Sequence, residues 1–422
     1  MTPLMQSILQ NAPDRVALVT PSGEVTFREL ARACERAAPK PLLAPTSCLE
    51  DIVTLLASLA AGPVALVHPR WSPAEVRAAK ALIDAHGPLE HDATVFFTSG
   101  TTGQPKGVIH GHRQHAAAAA ASAENLGWRD EDRWLLSIPP AHIGGFSILT
   151  RCLSAGATVV LPDPGPFDPR GFVEQLARDR VTLVSLVPTM LQRITDLELT
   201  APAHLRAALL GGAAASPALI EAASALGWPV LTTYGMTETC AQATVTPYGE
   251  RPLPHGGCGL PLASVEIRVR EGRVEVRGPT LMRGYLCATQ IAQDDWFATH
   301  DLGHLDDRGR LHVLGRSDEV IVTGGENVHP NEVEHALRSC PEISEAVVYG
   351  VDDPEWGQRV AAVVESSSQI DISTLKGQLD EHIAGFKKPK TVEVVSALPR
   401  TAAGKIDRQR AIEAAGLPLN ER

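Results

Sequence analysis

Short apolar runs alternate with segments of helical period through the middle of this chain. Residues 181–187, Ala207–Leu210 and residues 230–233 are strand-like aliphatic runs, whereas residues 172–180 and 217–226 carry the helical pattern. That alternation predicts an α/β domain with largely parallel sheets, some of them mixed. From residue 265 to 277 the pattern tightens to Val-Glu-Ile-Arg-Val-Arg-Glu-Gly-Arg-Val-Glu-Val-Arg, apolar at every second position. It predicts a hairpin turning at Glu271-Gly272 within a β-rich subdomain. Beyond about Gly315 the texture changes again. Short strands at residues 346–350, 360–365 and Thr391–Val395 flank helical patterns at 330–339 and 372–384, which predicts a small α+β domain. The expected boundary lies near Arg316-Ser317-Asp318-Glu319, giving a large N-terminal domain (1–317) and a small C-terminal one (318–422). No internal repeat is visible.

Composition narrows the class. The 422 residues carry 38 Lys+Arg against 49 Asp+Glu, a formal charge of −11. No basic block interrupts that balance, which disfavours nucleic acid or an anionic membrane surface as the main partner. With only four Tyr, stacking platforms for bases are not expected either. Seven Cys, at 34, 48, 152, 240, 258, 287 and 340, show no Cys-x-x-Cys spacing. Free thiols in a reducing cytoplasm are expected, not a disulfide framework or a zinc site. The first seven residues lack the basic start and apolar core of a secretion signal. The most apolar window, 52–67, is broken by Gly62-Pro63 and too short to span a bilayer, and the Ala run at 116–121 is simply helix-prone. No membrane insertion is expected.

Candidate chemistry concentrates near residue 100. An apolar lead, Thr94-Val95-Phe96-Phe97, runs into Thr98-Ser99-Gly100-Thr101-Thr102-Gly103-Gln104-Pro105-Lys106-Gly107. Such a segment offers N–H groups, hydroxyls and one ammonium to a polyanion, with no bulky side chain in the way. It departs from the common phosphate loop of Gly, four residues, then Gly-Lys-Ser/Thr. Counted from Gly100, the second Gly falls on Pro105 and the hydroxyl on Gly107. A plain Gly/Thr surface loop is the alternative reading.

Four more segments carry chemistry. Thr232-Thr233-Tyr234-Gly235-Met236-Thr237-Glu238-Thr239 follows a predicted strand and so sits at a strand's C-terminal end, where α/β folds bind ligands. Tyr234 can lie flat against a base, Thr237 can reach a phosphate, and Glu238 can hold Mg²⁺, which takes oxygen ligands. The alternative is a solvated polar turn. Leu210-Gly211-Gly212-Ala213-Ala214 either lets a planar ring approach the backbone or is an ordinary glycine turn. Asp301 could accept both hydroxyls of a ribose or serve as a turn residue. Lys405, inside Pro399-Arg400-Thr401-Ala402-Ala403-Gly404-Lys405-Ile406-Asp407-Arg408, reads alone as a solvated lysine as readily as a catalytic one.

Together these segments resemble the adenylate-forming superfamily of acyl-CoA synthetases, luciferases and peptide-synthetase adenylation domains. The matches, in order, are residues 98–107, Pro140-Ala141-His142, residues 234–239, Asp301, Gly315-Arg316-Ser317-Asp318, Gly324-Gly325-Glu326-Asn327-Val328-His329-Pro330, and residues 399–408. Each is of middling specificity alone; seven in order are very specific. The resemblance implies a large α/β domain and a small mobile one sharing a site. It implies that Thr98, Ser99, Gly100, Thr101, Thr102, Gly103 and Lys106 clasp the β- and γ-phosphates of ATP. Gly212, Ala213 and Tyr234 would bracket the adenine, Asp301 and Arg316 the ribose, and Glu238 would hold Mg²⁺. Lys405 would bridge the acyl carboxylate and the α-phosphate. Asp318 matches the family hinge, about which the small domain turns to withdraw Lys405 and bring up Gly324 and Gly325, leaving room for the pantetheine arm of coenzyme A.

Two features depart from the family pattern. His300 stands where Gly usually precedes the ribose Asp, and little chain separates the helical residues around 73–86 from the phosphate segment, so one βα layer is expected to be trimmed. For the acid, residues 140–149, 153–157, 209–214 and 231–242 are most similar to the o-succinylbenzoate–CoA ligases of menaquinone biosynthesis. That substrate brings a second carboxylate, which needs a cation or several donors once desolvated. His142 and Ser147 are candidates by position, and His142 reads equally as a packing residue. Alternatives are a CoA ligase for another aryl or short- or medium-chain acid, and a non-catalytic nucleotide-binding protein. Lys405, Glu238 and the complete phosphate segment speak against the last. A homodimer is allowed.

Overall fold

The aliphatic runs of the middle of the chain lie side by side in one sheet. The computed structural model describes residues 13–91, 93–99, 105–253, 257–288, 290–292, 294–324, 326–354, 356–368, 370–401 and 405–416. Nine strands order as Leu260–Pro261, Thr244–Val245, Val230–Tyr234, Ala207–Leu210, Leu183–Leu186, Arg133–Leu135, Thr158–Val160, Val16–Thr20 and Gly23–Thr26. The six from Val230–Tyr234 to Val16–Thr20 are parallel; the strands beyond them close antiparallel. Parallel strands are covered on both faces, which is why these segments read as unbroken apolar runs. Every residue of Ala207–Leu210 is buried. Leu135, Val160, Leu176, Val184, Leu186 and Trp228 meet in the core beside this sheet.

The helices follow local signals. The pattern at 172–180 begins earlier, as Pro169–Arg178, because the Asp168 carboxylate caps it and Pro169 suits its first turn. Ser216 caps Pro217–Ala225 in the same way. Helix Ile143–Ala155 is buried nearly all round, as its almost unbroken apolar sequence requires. A second sheet runs Gly284–Tyr285, Pro105–His110, Thr94–Ser99, Val64–Leu66, Leu42–Leu43. The predicted hairpin joins Glu266–Arg270 to Arg273–Arg277 through Glu271 (φ 52°) and Gly272 (φ 77°). Two left-handed residues give the turn whose twist matches paired strands. All seven cysteines are free.

The chain divides into two compact units. The first comprises Met1–Arg268, Glu275–Phe297 and Asp307–Leu311; the second comprises Val269–Val274, Ala298–Asp306 and His312–Arg422. In the second, strands order as Glu326–Val328, Ile321–Thr323, Gly357–Glu365 and Glu345–Asp353, and Thr391–Val395 adds parallel to Gly357–Glu365. The pleat sorts its side chains into two cores. Ala346, Val348, Val360, Ala362 and Val364 join Val333 and Leu337 of helix Pro330–Arg338. Val347, Tyr349, Val351, Ala361 and Val363 join Ala411 and Ile412 of helix Arg408–Ala414. The helical pattern at 372–384 is realised as Ile372–Gln378, which contains the poor helix former Gly377, and then tightens to a 3₁₀ turn at Leu379–Glu381.

Candidate active site

In the first unit the two flanks of the phosphate segment pair as strands, so part of the expected loop is strand. Thr94–Ser99 pairs antiparallel with Pro105–His110, Thr98 opposite Lys106 and Ser99 opposite Pro105. Thr98 is half-buried and Lys106 exposed. Gly100, Thr101, Thr102 and Gly103 lie outside the described residues.

Beyond Tyr234, the last residue of a parallel strand, the chain makes a tight return. It forms a 3₁₀ turn at Thr237–Thr239, passes through Cys240 (φ 55°) and Ala241 (φ 86°), and pairs antiparallel with Tyr234 opposite Thr244. Gly235 is dictated by this return, since a Cβ there would run into the Ala241 carbonyl oxygen. Thr237 and Glu238 are thus held half-exposed at the sheet's C-terminal edge.

Three groups clamp the turn. His110 Nε2 bonds the Thr237 carbonyl at 2.7 Å, the Met282 N–H donates to the Glu238 carbonyl at 2.8 Å, and the Tyr285 hydroxyl donates to Glu238 Oε1 at 2.8 Å. Burial pushes the His110 imidazole down to about 4, outweighing the carbonyl bond that favours its charged form. A neutral ring facing a carbonyl must carry its proton on Nε2. Next to it His115, also depressed by burial, contacts Thr94 Oγ1 at 2.7 Å through Nε2 and Cys240 Sγ at 3.2 Å through Nδ1. The Lys106 ammonium lies 5.9 Å from the Tyr285 ring centroid. Tyr285 therefore faces both the phosphate-segment cation and the Glu238 carboxylate.

The remaining sites of the first unit differ widely in exposure. Gly212 (φ 82°) and Ala213 are exposed at the end of Ala207–Leu210. His142 precedes helix Ile143–Ala155, its ring centroid 5.0 Å from that of His68. Ser147 on that helix is buried and donates to the Gly144 carbonyl at 2.7 Å. Sequence reading missed Arg151, one charge inside an apolar helix. It is 3% exposed, lies 5.6 Å over the Trp134 ring, and leaves Nε and Nη2 without a partner among the described residues. Burial pushes its guanidinium down to about 10.

In the second unit Asp301 and Arg316 come together, Arg316 Nη1 lying 3.8 Å from Asp301 Oδ1. The same guanidinium donates to both carboxylate oxygens of Asp318, at 3.0 and 2.9 Å. Burial raises the Asp318 carboxyl, and the Arg316 bonds outweigh it and hold it low. His300 is exposed within strand Phe297–Leu305, so its Cβ meets no backbone difficulty. Gly324 is exposed with φ 58°, and Gly325 lies outside the described residues. Lys405 is exposed, next to Ala402, Ala403 and Gly404, which are likewise outside them.

Among the described residues no cluster of three or more His, Cys, Asp or Glu could hold a metal ion. Glu238 offers a single, well-anchored carboxylate. That suits Mg²⁺, which commonly takes one or two protein carboxylates and completes its shell with phosphates and water.

Residues 66–286 match the AMP-binding enzyme family, and residues 332–405 match the AMP-binding enzyme C-terminal domain. The chain belongs to the AMP-binding enzyme family. Within it, the chain is similar to the 2-succinylbenzoate–CoA ligase of Bacillus licheniformis, 40% identical over 338 residues, 76% of this chain and 70% of that protein. Among solved structures it resembles o-succinylbenzoate CoA synthetase (MenE) of Bacillus subtilis in complex with the acyl-adenylate intermediate OSB-AMP, with a TM-score of 0.86, 30% identity, and 97% and 98% of the two chains covered. It also resembles ATP-bound MatB of Rhodopseudomonas palustris, with a TM-score of 0.85 and 25% identity over 98% and 99% of the chains. The fold is that of the adenylate-forming enzymes.

Proposed function

We propose that this chain is an AMP-forming acid–CoA ligase acting on o-succinylbenzoate in menaquinone biosynthesis, in the cytoplasm. The observation that carries the reading is the match over 97% of the chain to a synthetase solved with OSB-AMP. ATP and o-succinylbenzoate give the acyl-adenylate and pyrophosphate; coenzyme A then displaces AMP to give o-succinylbenzoyl-CoA. Thr98, Ser99, Lys106 and the intervening glycines and threonines grip the β- and γ-phosphates. Gly212, Ala213 and Tyr234 bracket the adenine, and Asp301 with Arg316 takes the ribose. Thr237 faces the phosphates beside Glu238, which holds Mg²⁺. The bound ion neutralises phosphate charge. Lys405 supplies a cation where charge develops as the carboxylate attacks phosphorus, a placement worth roughly 3–4 kcal/mol by analogy with single oxyanion donors. Turning at Asp318 then lets residues 318–422 present Gly324 and Gly325 to the thiol arm.

Arg151 supports the choice of acid. A desolvated second carboxylate needs a buried cation or several donors, and Arg151 shares a helix with Ser147 and the His142 cap. The test is purified enzyme with ATP, coenzyme A and a panel of acids. Turnover of o-succinylbenzoate far above benzoates and fatty acids is expected. Turnover of those acids without o-succinylbenzoate overturns the assignment and leaves a CoA ligase for another aryl or acyl acid.

A further inference from the structure

We propose that Arg408 is the positioning residue of Lys405, with Glu334 as its anchor; this rests on the reading of Lys405 as the adenylation lysine. Lys405 lies where residues 399–401 and 405–407 come together. The Thr401 N–H donates to the Lys405 carbonyl at 2.6 Å, Ile406 bridges Arg400, and the Asp407 N–H reaches the Pro399 carbonyl at 2.8 Å. Arg408 ties that junction outward. It is the first residue of helix Arg408–Ala414, three positions past Lys405.

Its guanidinium bonds Glu334 Oε1 through Nη1 at 2.5 Å and the Val348 carbonyl through Nη2 at 2.7 Å, while Nε lies 3.8 Å from Glu319 Oε1. Glu334 is 5% exposed, and the same Oε1 accepts the Val348 N–H at 2.9 Å. The planar guanidinium is thus fixed in three directions, by Glu334 of helix Pro330–Arg338, by the Val348 carbonyl of a strand, and by Glu319 just beyond strand Leu311–Arg316. A lysine brings a compact ammonium on a flexible stem and cannot reproduce that planar fork.

Holding a helix start with a half-buried ion pair costs desolvation that aliphatic packing would avoid. What the pair adds is direction. The other arm of the junction is held alike, since Glu365 Oε2 accepts the Leu398 N–H at 2.8 Å and lies 3.6 Å from the Arg400 guanidinium. A cation that must meet developing charge loses rate when displaced, without loss of nucleotide affinity.

The test uses the full chain with Arg408→Lys, Glu334→Gln and Lys405→Ala. It follows ATP–pyrophosphate exchange, thioester formation from supplied acyl-adenylate, and thermal melting. Arg408→Lys and Glu334→Gln are expected to lower the kcat of exchange about 10- to 100-fold. The KM for ATP and the thioester step should stay at parental values. Parental exchange in a variant that melts with the parent overturns the proposal, and so does equal loss of both half-reactions. Should Arg408→Lys fail to fold, Glu334→Gln, which keeps the acceptor's shape, decides alone. If Lys405→Ala leaves exchange intact, the reading of Lys405 itself fails; if it abolishes exchange while the other two do not, only the positioning role falls.

Discussion

Replacing His110 by Phe should make the fold less stable at neutral pH yet less sensitive to acid. The Phe ring fills the site but cannot donate to the Thr237 carbonyl, which His110 Nε2 bonds at 2.7 Å. Leaving that acceptor unpaired costs about 1–3 kcal/mol. Acid acts in the other direction. Burial pushes the imidazole from its ordinary 6.5 down to about 4. The unfolded chain therefore takes up its proton first. Stability from the neutral ring is complete above pH 6.5 and drains away as the pH falls towards 4. By linkage the loss is about 2 kcal/mol at pH 5 and about 3 kcal/mol at pH 4. Phe has no proton to take, so the stability difference between parent and variant should shrink by those amounts. His115 is depressed chiefly by burial, with His110 a smaller cause, so most of its titration is common to both proteins. Urea unfolding at intervals from pH 8 to pH 4 measures both curves. Two curves that stay parallel over that range would refute a buried neutral His110.

Arg151→Met should raise the melting temperature, by relieving a buried cation with two unpartnered nitrogens, while raising the KM for o-succinylbenzoate and sparing that for ATP; a fall in stability with unchanged KM would contradict it. Tyr285→Phe removes the bond to Glu238 Oε1 and should raise the Mg²⁺ needed for half-maximal exchange about tenfold or more, read by Mg²⁺ titration and by direct Mn²⁺ binding. Asp318→Pro should slow thioester formation more than pyrophosphate exchange; equal losses would point to general destabilisation. Gly235→Ala should cost about 1–3 kcal/mol in urea unfolding, because its Cβ meets the Ala241 carbonyl.

The parallel strands at 183–186, 207–210 and 230–234 were legible because burial on both faces leaves unbroken aliphatic runs. The Glu271-Gly272 turn was legible through strict alternation on either side. Asp301 and Arg316, paired only through the family pattern, lie 3.8 Å apart, and His300, which stands where that pattern has Gly, sits in an extended strand that accepts any side chain. Tyr285 was not legible. Its value comes from pairing Gly284–Tyr285 to Pro105–His110, strands far apart in sequence, and no local pattern announces such a contact. His110 escaped notice for the same reason. Arg151 did leave a trace, a lone charge in an apolar helix, but that pattern alone cannot say whether the charge is paired.

Strand Glu345–Asp353 is the last in its sheet. A terminal strand leaves every second N–H and carbonyl facing outward, where a strand from another molecule can add on. At Val348 both outward groups are already taken, the N–H by Glu334 and the carbonyl by Arg408. The strand is aliphatic on both faces, so burial alone does little to forbid a slipped or foreign partner. The ion pair therefore plugs a rung in the middle of the edge along which copies of this unit could zip together, and removing it should show first as concentration-dependent association.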